Sequence, residues 1–279
     1  SAASAAMIAK IPIAHIHGGE ITEGSWDDCI RHCISKMSHL HFTATEEYKN
    51  RVIQLGENPD RVLNVGGVGI ENIKRLKLLS KNELENLINF KLNKKNLLIT
   101  FHAVTLENNT SQKQFQELLD AIKELDDTNI IFTKTNSDLN GKVINKMIDK
   151  YTIENPKKSV AFISLGQLGY LSTLQYVDAV VGNSSSGLLE APSFKIGTIN
   201  IGDRQKGRIK ASSVIDCEPK KNSILIALTE LYSKRFIKTL KTSNNPYGDG
   251  HSSQKIINKI KNVNLNNILK KSFYDLKLI

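Results

Sequence analysis

In the stretch "AHIHGGEITEG" (14–24), two histidines, two glutamates and three glycines crowd the end of an apolar run. Strand alternation puts His15 and His17 on one face, with Ala14 and Ile16 on the other. Three readings are open here. The stretch could ligate a metal with Glu20 or His41 as third ligand, act as acid/base or substrate contact, or be a hydrogen-bonded histidine pair. The next segment, "SWDDCIRHCISKMSH" (25–39), opens a helix on Asp27 and Asp28, which suits the helix dipole. Arg31 lies three and four residues on, with His32 beside it, and a lone capping acid needs no such neighbours.

The strongest signal is "VVGNSSSGLLEAPS" (180–193), a strand ending in small hydroxyl residues and glycine before a helix begins. Amide N–H groups at a helix start, the positive end of its dipole and serine hydroxyls suit a phosphate. An N-cap followed by a packing glycine is the plain alternative, but three serines exceed what a cap needs. Glu190, about one turn into the helix, is placed to accept from a ribose. No Gly-Lys-Ser/Thr follows, so this is not a Walker motif. In "NIGDRQKGR" (200–208), Arg204 completes an anion pocket or is a solvated loop residue. In "LLITFHAVT" (97–105), His102 ends a strand, where it is structural, a proton donor or a phosphate partner.

Two regimes of strand–helix alternation must position these residues. The first reads helix 1–9, strand 11–17, helix 27–38, strand 39–45, helix 46–56 and strand 61–67. After a lysine-rich linker at 91–95, the second reads strand 96–105, helix 111–125, strand 129–135, helix 140–152 and strand 159–164. It continues with helix 167–176, strand 178–185, helix 186–193 and strand 197–202. Apolar strands separated by helices are the mark of parallel sheets, in which ligands sit at the carboxyl ends of the strands. The spacing predicts a partial first domain over 1–90, a second over 91–253, and a helical segment over 254–279.

The chain has 279 residues, 40% of them apolar, and a formal charge of +10. Its basic segments, at 91–96 and after Lys255, carry no interleaved aromatics, which argues against nucleic acid and suits a phosphorylated small molecule. Apolar stretches are strand-sized, and residues 1–10 lack the cationic start and apolar run of a signal peptide. Three cysteines, Cys29, Cys33 and Cys217, make an odd count that reads as a reduced, cytoplasmic protein. His32 and Cys33 offer too few ligands for a zinc site.

Six ordered blocks, "IPIAHIHGGE", "DDCIRHCISKMSHLHF", "FHAVT", "GNSSSGLLEAPS", "NIGDRQKGR" and "NPYGDG" (245–250), together resemble the UDP-N-acetylglucosamine 2-epimerase family, hydrolysing branch. The other branch shows His-x-Glu-Ala-Gly and Glu-Glu-x-Asn-Arg where this chain has His15-Ile-His17-Gly-Gly-Glu20 and Asp27-Asp28-Cys-Ile-Arg31-His32. The resemblance implies an α/β GT-B fold, with two Rossmann-like doubly wound parallel-sheet domains and the site in the cleft between them. It also implies that the helical segment over 254–279 packs back on the first domain. It places Ser184 and Ser185 near a UDP diphosphate, in one turn with Ser186 and Gly187, and Glu190 near the ribose. Arg204 is a further nucleotide contact, and Asn136 and Tyr170 line the nucleotide pocket. Glu20, Asp27 and His102 are implied in catalysis, with Arg31 and His17 in support. No cofactor or metal is implied, the partner is a UDP-sugar, and the assembly is a homodimer.

The implied reaction eliminates UDP across C1–C2 of UDP-N-acetylglucosamine and adds water to the resulting 2-acetamidoglucal, giving N-acetylmannosamine for sialic-acid-type sugars. A UDP-2,4-diacetamido-trideoxyhexose of a legionaminic-acid-type pathway is the alternative substrate. A UDP-binding remnant without turnover is the reading from a different class. A glycosyltransferase of the same fold would leave HIHGGE and the Asp-Asp helix start without a role. Two family features, a Gly-x-Arg turn after the first strand and a Gly-Asp-Arg segment before the opening helix, have no counterpart here. "SAASAAMIAK" resembles the helix after Gly-Asp-Arg, so the expectation is an incomplete first domain, lacking about three strands, from a fragment or a truncated product.

Overall fold

Short apolar runs joined by helices leave the strands of this chain no partner geometry but the parallel one, since a hairpin cannot join parallel neighbours. The computed structural model describes residues 1–23, 27–104, 110–135 and 141–276. They form two units, one built from 1–22, 27–75 and 246–276 and the other from 76–245 with Glu23.

In the first unit, α1 (Ala2–Ile8) leads into β1 (Ala14–Ile16), α2 (Asp27–Met37), β2 (Leu40–Thr43), α3 (Glu46–Gln54), β3 (Val62–Asn64) and α4 (Val68–Arg75). The strands lie in the order β1-β2-β3, all parallel. The first strand is shorter than the run 11–17 suggests, because Pro12 has no N–H to pair and His17 turns left-handed at φ 64°.

The second unit opens with α5 (Lys81–Ile88), whose Ser80/Glu83 capping box was readable in "SKNE". It continues through β4 (Lys95–Thr100), α6 (Ser111–Ile122), β5 (Thr128–Thr133), α7 (Gly141–Glu154), β6 (Ser159–Phe162) and α8 (Gly166–Thr173). Then follow β7 (Ala179–Gly182), α9 (Ser186–Leu189), β8 (Gly197–Ile201), β9 (Val214–Cys217), α10 (Lys221–Leu231) and α11 (Lys234–Thr242). Six parallel strands run β6-β5-β4-β7-β8-β9, the doubly wound Rossmann order. Leu97, Ile99, Phe132, Val181 and Ile199 are buried in one apolar cluster under this sheet. Edge strand β9 escapes a reading by apolar pattern because its four residues include the exposed Asp216.

Two boundaries differ from those suggested at 90 and 253. The break falls at Arg75/Leu76, because the segment carrying α5 bonds within the second unit. There Leu79 N donates to Ser172 Oγ (3.0 Å) and Leu92 N to Glu85 Oε1 (3.0 Å). The chain rejoins the first unit at Pro246, because fully buried Tyr247 meets Tyr48, hydroxyl to hydroxyl at 3.1 Å, and its carbonyl accepts from Gly67 N at 2.7 Å. Then α12 (Ser252–Asn262) ties to α4 through Ser253 and Glu71, and Ile256 and Ile268 pack with Leu40, Phe42 and Val65. Among the described residues of 254–276, helix ends at Asn262. Asn264 accepts from Asn266 N (2.9 Å) and Asn267 takes φ 58°, a turn that asparagines favour.

The tail brings Lys271 onto an ion cluster around buried Glu57. Lys271 Nζ donates to Ser38 O (2.5 Å) and Glu57 Oε2 (2.7 Å). Burial pushes Glu57 up, yet hydrogen bonds from His41, Lys271 and Lys36 outweigh it and hold its carboxyl at about 2. His15, in register with His41, shares a hydrogen bond with Ser35 Oγ at 3.1 Å. Burial first, then the charges of His41 and Arg31, bring His15 down from 6.5 to about 4.

Tyr247→Ala is expected to destabilise the first unit by about 3–5 kcal/mol in urea unfolding, the range for emptying a buried aromatic site. Phe273→Ala, at a residue 66% exposed, should cost within about 1 kcal/mol; equal effects would refute the anchoring role of Tyr247. His15 is neutral when folded, so its contribution is complete above pH 6.5 and lost as pH falls toward 4. Thermal unfolding of His15→Gln should therefore show a flatter pH dependence across that window, and an unchanged slope would contradict this.

Candidate active site

One candidate group, in the first unit, hangs on the turn after β1. Gly19 has φ 81°, and a Cβ there would lie 2.2 Å from Tyr48 O, so the backbone presses against α3 in a way only glycine permits. Arg51 Nη1 holds Gly19 O at 2.7 Å. This turn folds buried Glu20 back onto His17, with Oε1 2.8 Å from Nδ1. Val68 N donates to His17 Nε2 at 3.4 Å. An acceptor role at Nε2 leaves the proton on Nδ1, where it is donated to the Glu20 carboxylate.

Arg31 joins this turn to α2. Its Nη1 donates to Glu20 O (3.2 Å) and Asp28 Oδ1 (3.1 Å), and its Nη2 to Asp27 Oδ2 (2.9 Å). The two acids differ. Asp27 is exposed, whereas Asp28 is half-buried, accepts from Thr22 N at 2.7 Å and lies 3.5 Å from His32 Nε2. Glu20, His17, Asp27 and Arg31 thus form one connected group, and Asp28, read in the sequence as a helix-start acid and not as a site residue, locks it to the turn. The shared face expected of His15 and His17 is not found. Alternation stops where His17 turns left-handed, so His15 bonds to Ser35 on α2 and His17 to Glu20. Among the described residues no three His, Cys, Asp or Glu side chains stand close enough to hold a metal ion.

The other candidate group, in the half of the chain that forms the second unit, lies at the carboxyl ends of β4, β5, β7 and β8. His102, just past β4, has Nδ1 3.1 Å from Thr135 Oγ1, and its backbone is bonded to the Asn183 side chain. Beyond β7, Ser184, Ser185 and Ser186 are half-buried in a turn, and Ser185, at the start of α9, makes no side-chain capping bond. Ser186 Oγ is bonded to the Tyr170 hydroxyl, which burial, with Glu190 nearby, pushes above the ordinary phenol value. Glu190 is half-buried at the end of the same turn. Arg204 Nη1 and Gln205 Nε2 both donate to Asn183 O, at 3.0 and 2.8 Å.

Two expectations for this half change. Helix 186–193 is a single α-turn continued by a 3-10 turn over Ala191–Phe194, because Pro192 cannot supply the next helical N–H. Little helix dipole remains at this turn, whose polar groups are the serine hydroxyls, Arg204 and local N–H groups. Gly187 is a packing residue, since a Cβ there would lie 2.6 Å from Thr198 Cγ2, and its carbonyl accepts from Thr198 Oγ1 at 2.6 Å. Asn136 lies outside the described residues. Thr135, Asn183 and Gln205 were not named as site residues, although "TKTN", "GNSSSG" and "NIGDRQKGR" set them at or just past strand ends.

Comparison with known proteins gives these two groups a context. The UDP-N-acetylglucosamine 2-epimerase family model matches residues 1–261. A GDP/UDP-N,N'-diacetylbacillosamine 2-epimerase (hydrolyzing) of Campylobacter jejuni is 46% identical over 277 residues, 99% of this chain and 72% of that protein. A UDP-N,N'-diacetylbacillosamine 2-epimerase (hydrolyzing) of Legionella pneumophila is 35% identical over 265 residues, 95% and 68% of the two chains. The crystal structure of UDP-GlcNAc 2-epimerase from Neisseria meningitidis bound to UDP-GlcNAc matches with a TM-score of 0.80 at 18% identity, over 93% and 72% of the two chains. That likeness carries the fold, which is GT-B with Rossmann-like parallel sheets. With motifs, sheets and relatives in agreement, the chain belongs to the UDP-N-acetylglucosamine 2-epimerase family, in its hydrolysing branch.

Proposed function

We propose that the chain is a hydrolysing 2-epimerase of a UDP-linked 2-acetamido sugar, in which the second unit holds UDP and the first carries the proton chemistry. The observation that carries this reading is the 46% identity, over 99% of the chain, to a relative named for that reaction. The relatives from Campylobacter and Legionella favour UDP-N,N'-diacetylbacillosamine, a 2,4-diacetamido-trideoxy sugar, over UDP-N-acetylglucosamine. The homodimer implied by the family is part of the same reading, and no described helix is long and apolar enough to cross a membrane.

In this mechanism the C1–O bond to UDP breaks as C2 loses its proton, giving a 2-acetamidoglycal. Water then adds its hydroxyl to C1 and a proton to the opposite face of C2, releasing the 2-epimer. The C2 hydrogen is not next to a carbonyl, so it becomes acidic only as the C1–O bond weakens. Stabilising the departing diphosphate is therefore the first requirement. Ser184, Ser185, Ser186 and Arg204 serve it, with His102 as proton donor or phosphate partner. Glu190 takes the ribose, and Tyr170 and Asn136 line the nucleotide pocket. Glu20 and Asp27 remove and return the C2 proton. His17 donates to the Glu20 carboxylate at 2.8 Å and Arg31 to that of Asp27 at 2.9 Å, and these bonds fix the direction in which each carboxylate faces.

The test is incubation with each UDP-sugar and NMR of the products. Equal amounts of UDP and the free 2-epimer are expected, with higher kcat/KM for the diacetamido sugar. UDP binding without turnover would mark a remnant, and no UDP binding would end every nucleotide-sugar reading. Glu20→Gln and His102→Ala should each lower kcat by about 10²-fold or more; near-normal rates would remove either from the mechanism.

A further inference from the structure

We propose that Asn183 is a positioning residue that clamps the crevice of the second unit and fixes His102 relative to the diphosphate-binding turn. β4 and β7 are neighbours, with Thr100 opposite Gly182, yet the chain leaves them in opposite directions, toward β5 and toward β8. A crevice opens at such a reversal of strand order. Asn183 stands at its floor, 1% exposed.

One side chain there takes both hydrogen-bonding groups of one backbone residue. Asn183 Oδ1 accepts from His102 N at 2.7 Å, and Nδ2 donates to His102 O at 2.8 Å. The backbone of Asn183 does the rest. Its N–H donates to Thr100 O (3.2 Å), and its carbonyl accepts from Arg204 (3.0 Å) and Gln205 (2.8 Å). The turns after β4, β7 and β8 therefore meet on this residue, and Ser184 follows it directly. Gly182 makes the approach possible. At φ 134° a Cβ there would lie 2.0 Å from Thr100 O.

The pattern requires an amide, because a carboxylate supplies two acceptors and no donor. That chemistry separates positioning from mere packing. In Asn183→Asp the size is kept, but the second oxygen of the carboxylate faces His102 O and repels it. Protonated, the same group donates to that carbonyl and restores the clamp, and burial favours this neutral form. The titratable and charged groups bonded around it are His102 and Arg204, both unchanged in the variant.

UDP affinity by calorimetry and the ¹⁵N resonances of the His102 ring read the clamp on the full chain. The prediction rests on the proposed UDP site for its first readout only; the His102 resonances report on the clamp whether or not the protein binds UDP or turns over a sugar. For Asn183→Asp near pH 8, UDP affinity is expected to fall about tenfold or more and the His102 resonances to shift. Both should return toward wild type near pH 5, beyond any change that the wild-type protein shows itself. Asn183→Ala should lose affinity at both pH values without recovery. If the alanine variant does not fold, the two pH values of the aspartate variant decide alone. Wild-type affinity and His102 resonances in folded Asn183→Asp at both pH values, or an equal loss at both, would overturn the proposal.

Discussion

Every strand pairing among the described residues is parallel, and this constraint shapes everything else. Parallel neighbours need a crossover, so each strand ends in a turn at the same edge of its sheet. The turn holding Glu20 follows β1, and those holding His102, Ser184 and Arg204 follow β4, β7 and β8. Residues up to a hundred positions apart in the chain thus meet at one edge of the second sheet, without any local sequence signal drawing them together.

The turns themselves are held by close backbone approach and by charge. Gly19 and Gly182 sit where a side chain would collide with a carbonyl, so the chain bends tightly just before a chemically active residue. In the first unit Arg31 ties the Glu20 turn to the acidic start of α2, while the Glu57–Lys271 pair fastens the tail near the other end of that helix. A buried charge left without its partner is costly, so Glu57 depends on the lysines that meet it at this end of α2.

Much of this was legible in the residues. The strand–helix alternation from Leu97 to Ile201 follows from apolar runs broken by turn residues, and the small polar residues of "GNSSSG" mark a strand end. What was not legible depends on three-dimensional detail. Alternation placed His15 and His17 on one face, but it fails once His17 becomes left-handed. Asp27 and Asp28 look equivalent in the sequence, and only the path of the turn decides that Thr22 N bonds to Asp28. The return of the chain at Tyr247 rests on a contact with Tyr48, 199 residues away, and no local pattern reports that.

The central claim is a division of labour, with UDP held by the second unit and proton transfer carried by the first. Calorimetric titration of UDP into two variants tests it most directly. Glu20→Gln should bind UDP within about twofold of wild type, whereas Arg204→Ala should bind about tenfold or more weakly. Equal weakening in both, or loss in Glu20→Gln alone, would contradict the account.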